Sequence, residues 1–200
     1  PLPMTVQLIL AIDLGTDILP ALALGVEKSE EDIMNRPPRS LKEKLLTPQM
    51  LFHSYGIKGP IEALAGFFCY FAVLYGGGWV WGEKLAYNNP LYMQSITAFF
   101  AAVIICQISN VFISRTRKQS IFTKGAFSNK LVLGGIVSEL VILGLIIWNP
   151  FANLIFNTTP IDLKYLTLAI PFALLILAID EMRKYLIRKD VRAVRKVLEW

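Results

Sequence analysis

Residues 131–148 read LVLGGIVSELVILGLIIW, an unbroken apolar run interrupted by one ionisable side chain, Glu139, with no alternation of polar and apolar positions. A strand of a membrane barrel would alternate with period two. A continuous run of this length predicts instead an α-helix crossing the hydrocarbon, where every backbone N–H and C=O is satisfied within the segment. Working outward, the same pattern recurs at residues 2–24, 59–80, 91–114 and 165–187, so five spans are expected. The whole 200-residue chain is 54% hydrophobic and 18% charged, with a mean hydropathy of +0.52. That leaves too little polar surface to cover a soluble globule. The expected fold class is all-α: a polytopic membrane helix bundle of five transmembrane helices, with residues 1–200 forming one transmembrane domain and the lipid bilayer as its main partner.

Charge is lopsided as well as positive. The net charge is +5 and the isoelectric point 9.2, but the basic residues do not form a nucleic-acid patch. They gather between the first two spans (Lys28, Arg36, Arg39, Lys42, Lys44, Lys58), between the third and fourth (Arg115, Arg117, Lys118, Lys124, Lys130), and after the fifth (Arg183, Lys184, Arg188, Lys189, Arg192, Arg195, Lys196), leaving Lys84 and Lys164 for the other loops. By the positive-inside rule, residues 25–58, 115–130 and 183–200 are expected in the cytoplasm, with the N-terminus outside and the C-terminus inside. A chain that starts at Pro1 on the outer side with no signal peptide reads as the tail of a longer protein. No nucleic-acid partner is expected.

Soluble-enzyme chemistry finds no constellation here. His53 is the only histidine and falls in the expected cytoplasmic loop, Cys69 and Cys106 lie inside apolar spans, and there is neither a Walker loop nor a Rossmann fingerprint. Catalytic residues are therefore expected to be absent. Trp79, Trp81 and Tyr87 follow Gly76-Gly77-Gly78 at a membrane interface, where aromatics anchor. Asp180-Glu181-Met182-Arg183-Lys184 closes the last span and reads as an interfacial anchor of the helix end.

The informative residues are the polar ones within the spans. Asp13 and Asp17 sit in Ile12-Asp13-Leu14-Gly15-Thr16-Asp17, between Pro3 and Pro20. On a regular helix, positions four apart lie ~40° apart on one face, with Thr16 adjacent. Each carboxylate costs at least ~2.5–3.5 kcal/mol at membrane depth, so a bound cation or a shared proton is expected. Hard oxygen ligands suit alkali and alkaline-earth ions, and Gly15 and Pro20 weaken the helix enough to release backbone carbonyls. Gln107 and Asn110, three apart on the third span, are open to coordination or to interhelical hydrogen bonding. Glu139 reads as a further cation or proton site or as a bonded packing acid. Glu62, near the start of its span, is expected to reach water or Lys58.

Several of these stretches, in this order, resemble the type II cation-transporting P-type ATPases. Ile12 to Asp17 with Leu19-Pro20-Ala21 is similar to their sixth transmembrane helix. Asp32-Ile33-Met34-Asn35-Arg36-Pro37-Pro38-Arg39 resembles the loop after it, Thr97-Ala98-Phe99-Phe100 leading to Gln107 their eighth helix, and Asp180 to Lys184 the end of their tenth. The resemblance implies that the five spans are helices six to ten. It also implies that Asp13, Thr16 and Asp17 coordinate the transported ion together with groups on the fourth and fifth helices. Gln107 and Asp13 match the sodium-pump choice of residue rather than the reticulum calcium-pump choice. Asn110 replaces an aspartate of sodium pumps, and Ser138, beside Glu139, replaces one acid of their Glu-Glu pair; both depart from the full sodium-pump pattern. The implied cargo is Na⁺, K⁺ or Ca²⁺. ATP and Mg²⁺ are implied for a full-length pump only, because this sequence has no Asp-Lys-Thr-Gly phosphorylation motif.

The cation-binding set expected is thus Asp13, Thr16, Asp17, Gln107, Asn110 and Glu139, centred on Asp13 and Asp17. The remaining helices and cytoplasmic domains of the same pump are its partners, in the cell membrane. The alternatives are half of an ion-coupled carrier or channel that uses no ATP, and a purely structural bundle.

Overall fold

The computed structural model describes residues 2–29 and 46–190, and among these every regular element is helical. The Asp32 to Arg39 motif, most of the first basic loop, and Arg192, Arg195 and Lys196 fall outside the described residues. Five helices are long and apolar enough to cross a membrane: α1 (Val6–Gly25), α2 (Pro48–Gly76), α3 (Pro90–Ser114), α5 (Lys130–Trp148) and α7 (Leu163–Arg188). Two short helices, α4 (Ile121–Lys124) and α6 (Pro150–Phe156), lie between them.

The starts of these helices are written in polar residues followed by proline. Thr47 accepts from the Met50 N–H ahead of Pro48, and Asn89 from the Leu91 N–H ahead of Pro90. Asn149 does the same for α6 ahead of Pro150. Each supplies an acceptor to an otherwise orphaned donor, and proline at the first position has no N–H to leave unpaired. Asn129 caps α5 through the Leu131 and Val132 N–H groups.

Helix α2 begins at Pro48, well before the expected start at residue 59. His53 therefore does not lie in a loop: it is a buried residue within the helix. Thr47 and Pro48 start the helix, and a burial site for His53 against α7 holds the extra turns in place.

Two of the long helices contain a π-helical stretch, Ala11–Thr16 in α1 and Phe52–Lys58 in α2. Each lies within about one turn upstream of a proline, Pro20 or Pro60, which cannot donate to the carbonyl four residues before it. In α1 the widened turn closes through the Asp17 N–H bonding to the Ile12 carbonyl at 3.1 Å. Such bulges are rare and cluster at functional sites.

Helix α3 is the most buried of the five, and α1, α2, α5 and α7 all pack on it. Its buried face carries Tyr92, Ile96, Phe100, Ile104 and Ile113, interleaved with Ala98, Ala101 and Ala102. Small residues let backbones approach in lipid, where apolar burial alone gives no drive for association. At the α1–α5 crossing a Cβ on Gly135 would lie 3.0 Å from the Pro20 Cα. Leucines on the outer surface, among them Leu14, Leu22, Leu64 and Leu174, are suited to acyl chains.

Candidate cation site

Where α1, α2 and α3 meet, they border an open cavity of about 280 Å³ lined by Asp17, Pro20, Ala21 and Leu24, by Glu62, and by Gln107, Asn110, Val111 and Ser114. Its polar groups are organised in two pairs. Gln107 Nε2 donates to Asp17 Oδ2 at 3.2 Å, and Asn110 Nδ2 donates to Glu62 Oε1. Gln107 and Asn110, three positions apart, stand one above the other on α3. Each amide turns its N–H towards a carboxylate, which can only accept. The opposite ends, Gln107 Oε1 and Asn110 Oδ1, are buried oxygens that receive no donor.

No lysine or arginine among the described residues forms an ion pair with Asp17 or Glu62. Lys58, one turn before Glu62, is within electrostatic reach of Glu62 and of Asp180. Asp17 is within electrostatic reach of Asp13, Glu62 and Glu139. The pocket thus holds two acids hydrogen-bonded to amides and in contact with no cationic side chain among the described residues, with Lys58 in reach of Glu62 only through space, and two spare neutral oxygens: a set of hard ligands.

Of the six residues expected at a cation site, the cavity brings together Asp17, Gln107 and Asn110. Asp13 is exposed and outside the lining, although it is within electrostatic reach of Asp17. Thr16 is buried and its hydroxyl donates to the Ile12 carbonyl at 3.0 Å. Glu139 lies outside the lining; it is fully buried on α5, and neither carboxylate oxygen has a hydrogen-bond partner. Beside it, Ser138 Oγ donates to the Gly135 carbonyl at 2.6 Å. Glu62, expected to reach water or Lys58, is half-buried within electrostatic reach of Lys58 and also lines the cavity. The available signal was a second intramembrane acid with an unmatched amide, Asn110, on another helix.

The Asp180 to Lys184 segment is also not an interfacial anchor. Asp180, Arg183 and Lys184 are buried. Asp180 contacts His53 Nε2 at 3.2 Å, Arg183 Nε at 3.0 Å and Lys184 Nζ at 2.7 Å. Burial on α2 and α3, rather than lipid headgroups, takes up these charges. Within this stretch Met182 faces outward, as does Tyr185 just after it.

Fold and cavity together define an integral membrane protein of the polytopic helical class, with a carboxylate- and amide-lined chamber between its helices. The chain belongs to the cation-transporting ATPases: the family described as "Cation transporting ATPase, C-terminus" matches residues 1–186. It is 36% identical to the potassium-transporting ATPase alpha chain 2 of Rattus norvegicus over 213 residues, covering 94% of this chain and 21% of the relative. It is 33% identical to the sodium/potassium-transporting ATPase subunit alpha-4 of Homo sapiens over 214 residues, covering 94% and 21%. Against the alpha-1 subunit of Catostomus commersonii the identity is 33% over 215 residues, covering 95% and 21%. The chain spans about a fifth of the length of these curated relatives.

Proposed function

We propose that this chain is the C-terminal transport segment of an ATP-driven P-type cation pump, and that the α1–α2–α3 cavity takes up the transported cation through Asp17, Gln107 and Asn110. One observation carries the reading. Asp17 is an intramembrane carboxylate whose hydrogen-bond partner in the cavity is a neutral amide with its own oxygen left free. An arrangement of that kind is costly in lipid unless a cation completes it.

Asp13 and Thr16, on the same helix, belong to the wider ion path. The exposed Asp13 would meet ligands from helices outside this sequence. Glu139, buried without a partner, supplies a further acid for a cation or a proton. The cargo is Na⁺, K⁺ or Ca²⁺. The names of the relatives favour the monovalent ions, whereas two carboxylates with neutral oxygens also suit calcium. ATP and Mg²⁺ act at domains outside this sequence, which are the partners of this one together with the remaining membrane helices. The charge pattern supports a cytoplasmic α2 start and α7 end with the N-terminus outside, and the cell membrane is the proposed location.

The test is ATPase activity of the intact pump titrated separately with Na⁺, K⁺, Ca²⁺ and H⁺, in the native protein and in Asp17→Asn. Activation by one cation, lost in the variant, is expected. A variant with the native ion dependence would remove Asp17 from the site, and a full-length protein without cation-dependent hydrolysis would favour the carrier reading.

A further inference from the structure

Lys58 carries a positive charge that no acid in contact answers. It closes the π stretch of α2, is half-buried, and among the described residues forms no ion pair. On its α7 side the acids are already matched. Arg183 Nε lies 3.0 Å and Lys184 Nζ 2.7 Å from Asp180, and Lys184 Nζ also lies 3.7 Å from Glu181. Two acids facing two bases leave no net charge there for a further cation, and Arg183 and Lys184 repel it. One turn on along α2, on the same side of the helix, stands Glu62. It lines the cavity together with Asp17 and meets an amide rather than a base. Lys58 is within electrostatic reach of it, so the surplus charge of the α7 side is felt in the cavity.

We infer that Lys58 determines which class of cation the cavity prefers: its fixed positive charge, one turn from the cavity wall, disfavours a divalent ion and biases the site towards monovalent ones. This rests on the reading of the cavity as the transport site and adds to it a residue that touches no ion itself.

Charge count gives the direction. Two carboxylates with neutral oxygens suit a divalent ion by ligand type, and a lysine within reach offsets one of those charges. A fixed charge acts on an ion in proportion to the ion's own charge, so Lys58 opposes Ca²⁺ twice as strongly as it opposes Na⁺ or K⁺ at the same place. Affinity is exponential in free energy. Removing the charge therefore multiplies monovalent affinity by one factor and divalent affinity by the square of that factor. For a half-buried charge one helical turn from the cavity, partly screened by water, the factor is about five for a monovalent ion and about 25 for a divalent one. A change in packing has no reason to follow the square of the ion's charge.

The experiment is equilibrium binding to the purified full-length pump, with ²²Na⁺, ⁸⁶Rb⁺ as the potassium probe, or ⁴⁵Ca²⁺ as tracer, whichever binds the native protein, displaced in turn by unlabelled Na⁺, K⁺ and Ca²⁺. Lys58→Gln is expected to tighten all three and to raise the affinity for Ca²⁺ relative to Na⁺ and K⁺ by about fivefold. Lys58→Arg keeps the charge and is expected to keep the native ratio. Because the ratio comes from competition within one sample, it does not depend on how much of a variant folds. An unchanged ratio in Lys58→Gln would overturn the inference, as would an equal shift in Lys58→Arg. Asp17→Asn separates the two readings. If it abolishes tracer binding while Lys58→Gln leaves the ratio native, only the role of Lys58 fails; if neither variant alters binding, the cavity is not the transport site.

Discussion

Two groups of acids lie within this bundle, one buried and one half-buried, and they are resolved in opposite ways. At the far end of α7, Asp180 is surrounded by His53, Arg183 and Lys184 within 3.2 Å, so its charge is met by the protein itself. In the α1–α2–α3 cavity, Asp17 and Glu62 receive amide N–H groups and no positive side chain. A carboxylate matched by fixed cations has a finished environment and contributes to the architecture. One matched only by amides is unfinished, and the charge that completes it has to arrive. The residue types are similar in both places; what differs is whether the counter-charge is covalently part of the chain.

The comparison breaks most visibly if the two acids are exchanged in importance. Asp17→Asn in the full-length pump is expected to abolish cation-stimulated phosphoenzyme turnover while leaving thermal stability in detergent near native. Retained turnover would show that the unfinished acid is not the functional one. Asp180→Ala is expected to do the reverse, lowering stability by about 3–5 kcal/mol because it strands buried cations without a partner. The relative order of activating cations should stay unchanged in whatever fraction folds. An altered ion preference in that variant would mean the two clusters are not separate.

A smaller effect is expected where the cavity is held in place. Gly135→Ala puts a methyl group 3.0 Å from the Pro20 backbone, and backbone cannot move aside as a flexible side chain can. A loss of about 1–3 kcal/mol is expected, read as a lower melting temperature, with weaker cation affinity because α1 carries Asp17. A variant as stable as the native protein would show that α1 and α5 can separate at no cost.

The smallest effect concerns an acid of the finished kind outside the spans. Glu27 lies against Arg115, whose Nε donates to it at 2.8 Å, with Asn129 and Lys124 nearby. Partial burial pushes its carboxyl up, but hydrogen bonds from Arg115 and Asn129 and the charges of Arg115 and Lys124 outweigh this and hold it down at about 2, from an ordinary 4.5. A carboxyl lowered by folding stabilises the fold above its unfolded value and loses that contribution as pH falls through the folded one. Acid unfolding of the native protein should therefore have a component between about pH 4.5 and pH 2 that is missing in Glu27→Gln. Identical acid profiles for the two proteins would show that the ion pair carries no stability.

Much of this was legible in composition and spacing, because long apolar runs leave a chain few choices in lipid. Asp17, Gln107 and Asn110 stood out as polar residues where polarity is costly, and the cavity unites them. What spacing could not convey is which acid meets which partner. Asp13 is exposed although Asp17, four positions on and within its electrostatic reach, lines the cavity. The early start of α2 carries His53 out of the expected loop and onto Asp180. Glu62 was discounted for its place near a span end, yet α2 packs on α3 so that Asn110 reaches it. Lys184, open in the sequence to pairing with the neighbouring acids or with headgroups, is fully buried and paired with Asp180. Each of these depends on one helix facing another, information that lies in tertiary contact and in no local pattern.

The cationic end of α7 has one more effect. Lys184 Nζ donates to the Ile113 carbonyl at 3.0 Å, Arg183 to the Arg117 carbonyl at 3.2 Å and Arg188 to the Lys118 carbonyl at 2.8 Å. Three successive grips from one helix thus take hold of the backbone where α3 ends, one at a last-turn carbonyl that the helix terminus leaves free and two in the loop just after it. In mechanical terms α3 and α7 are riveted at that end, so a torque applied to the tail of α7 is delivered to the shaft that bears Gln107 and Asn110, one to two turns away.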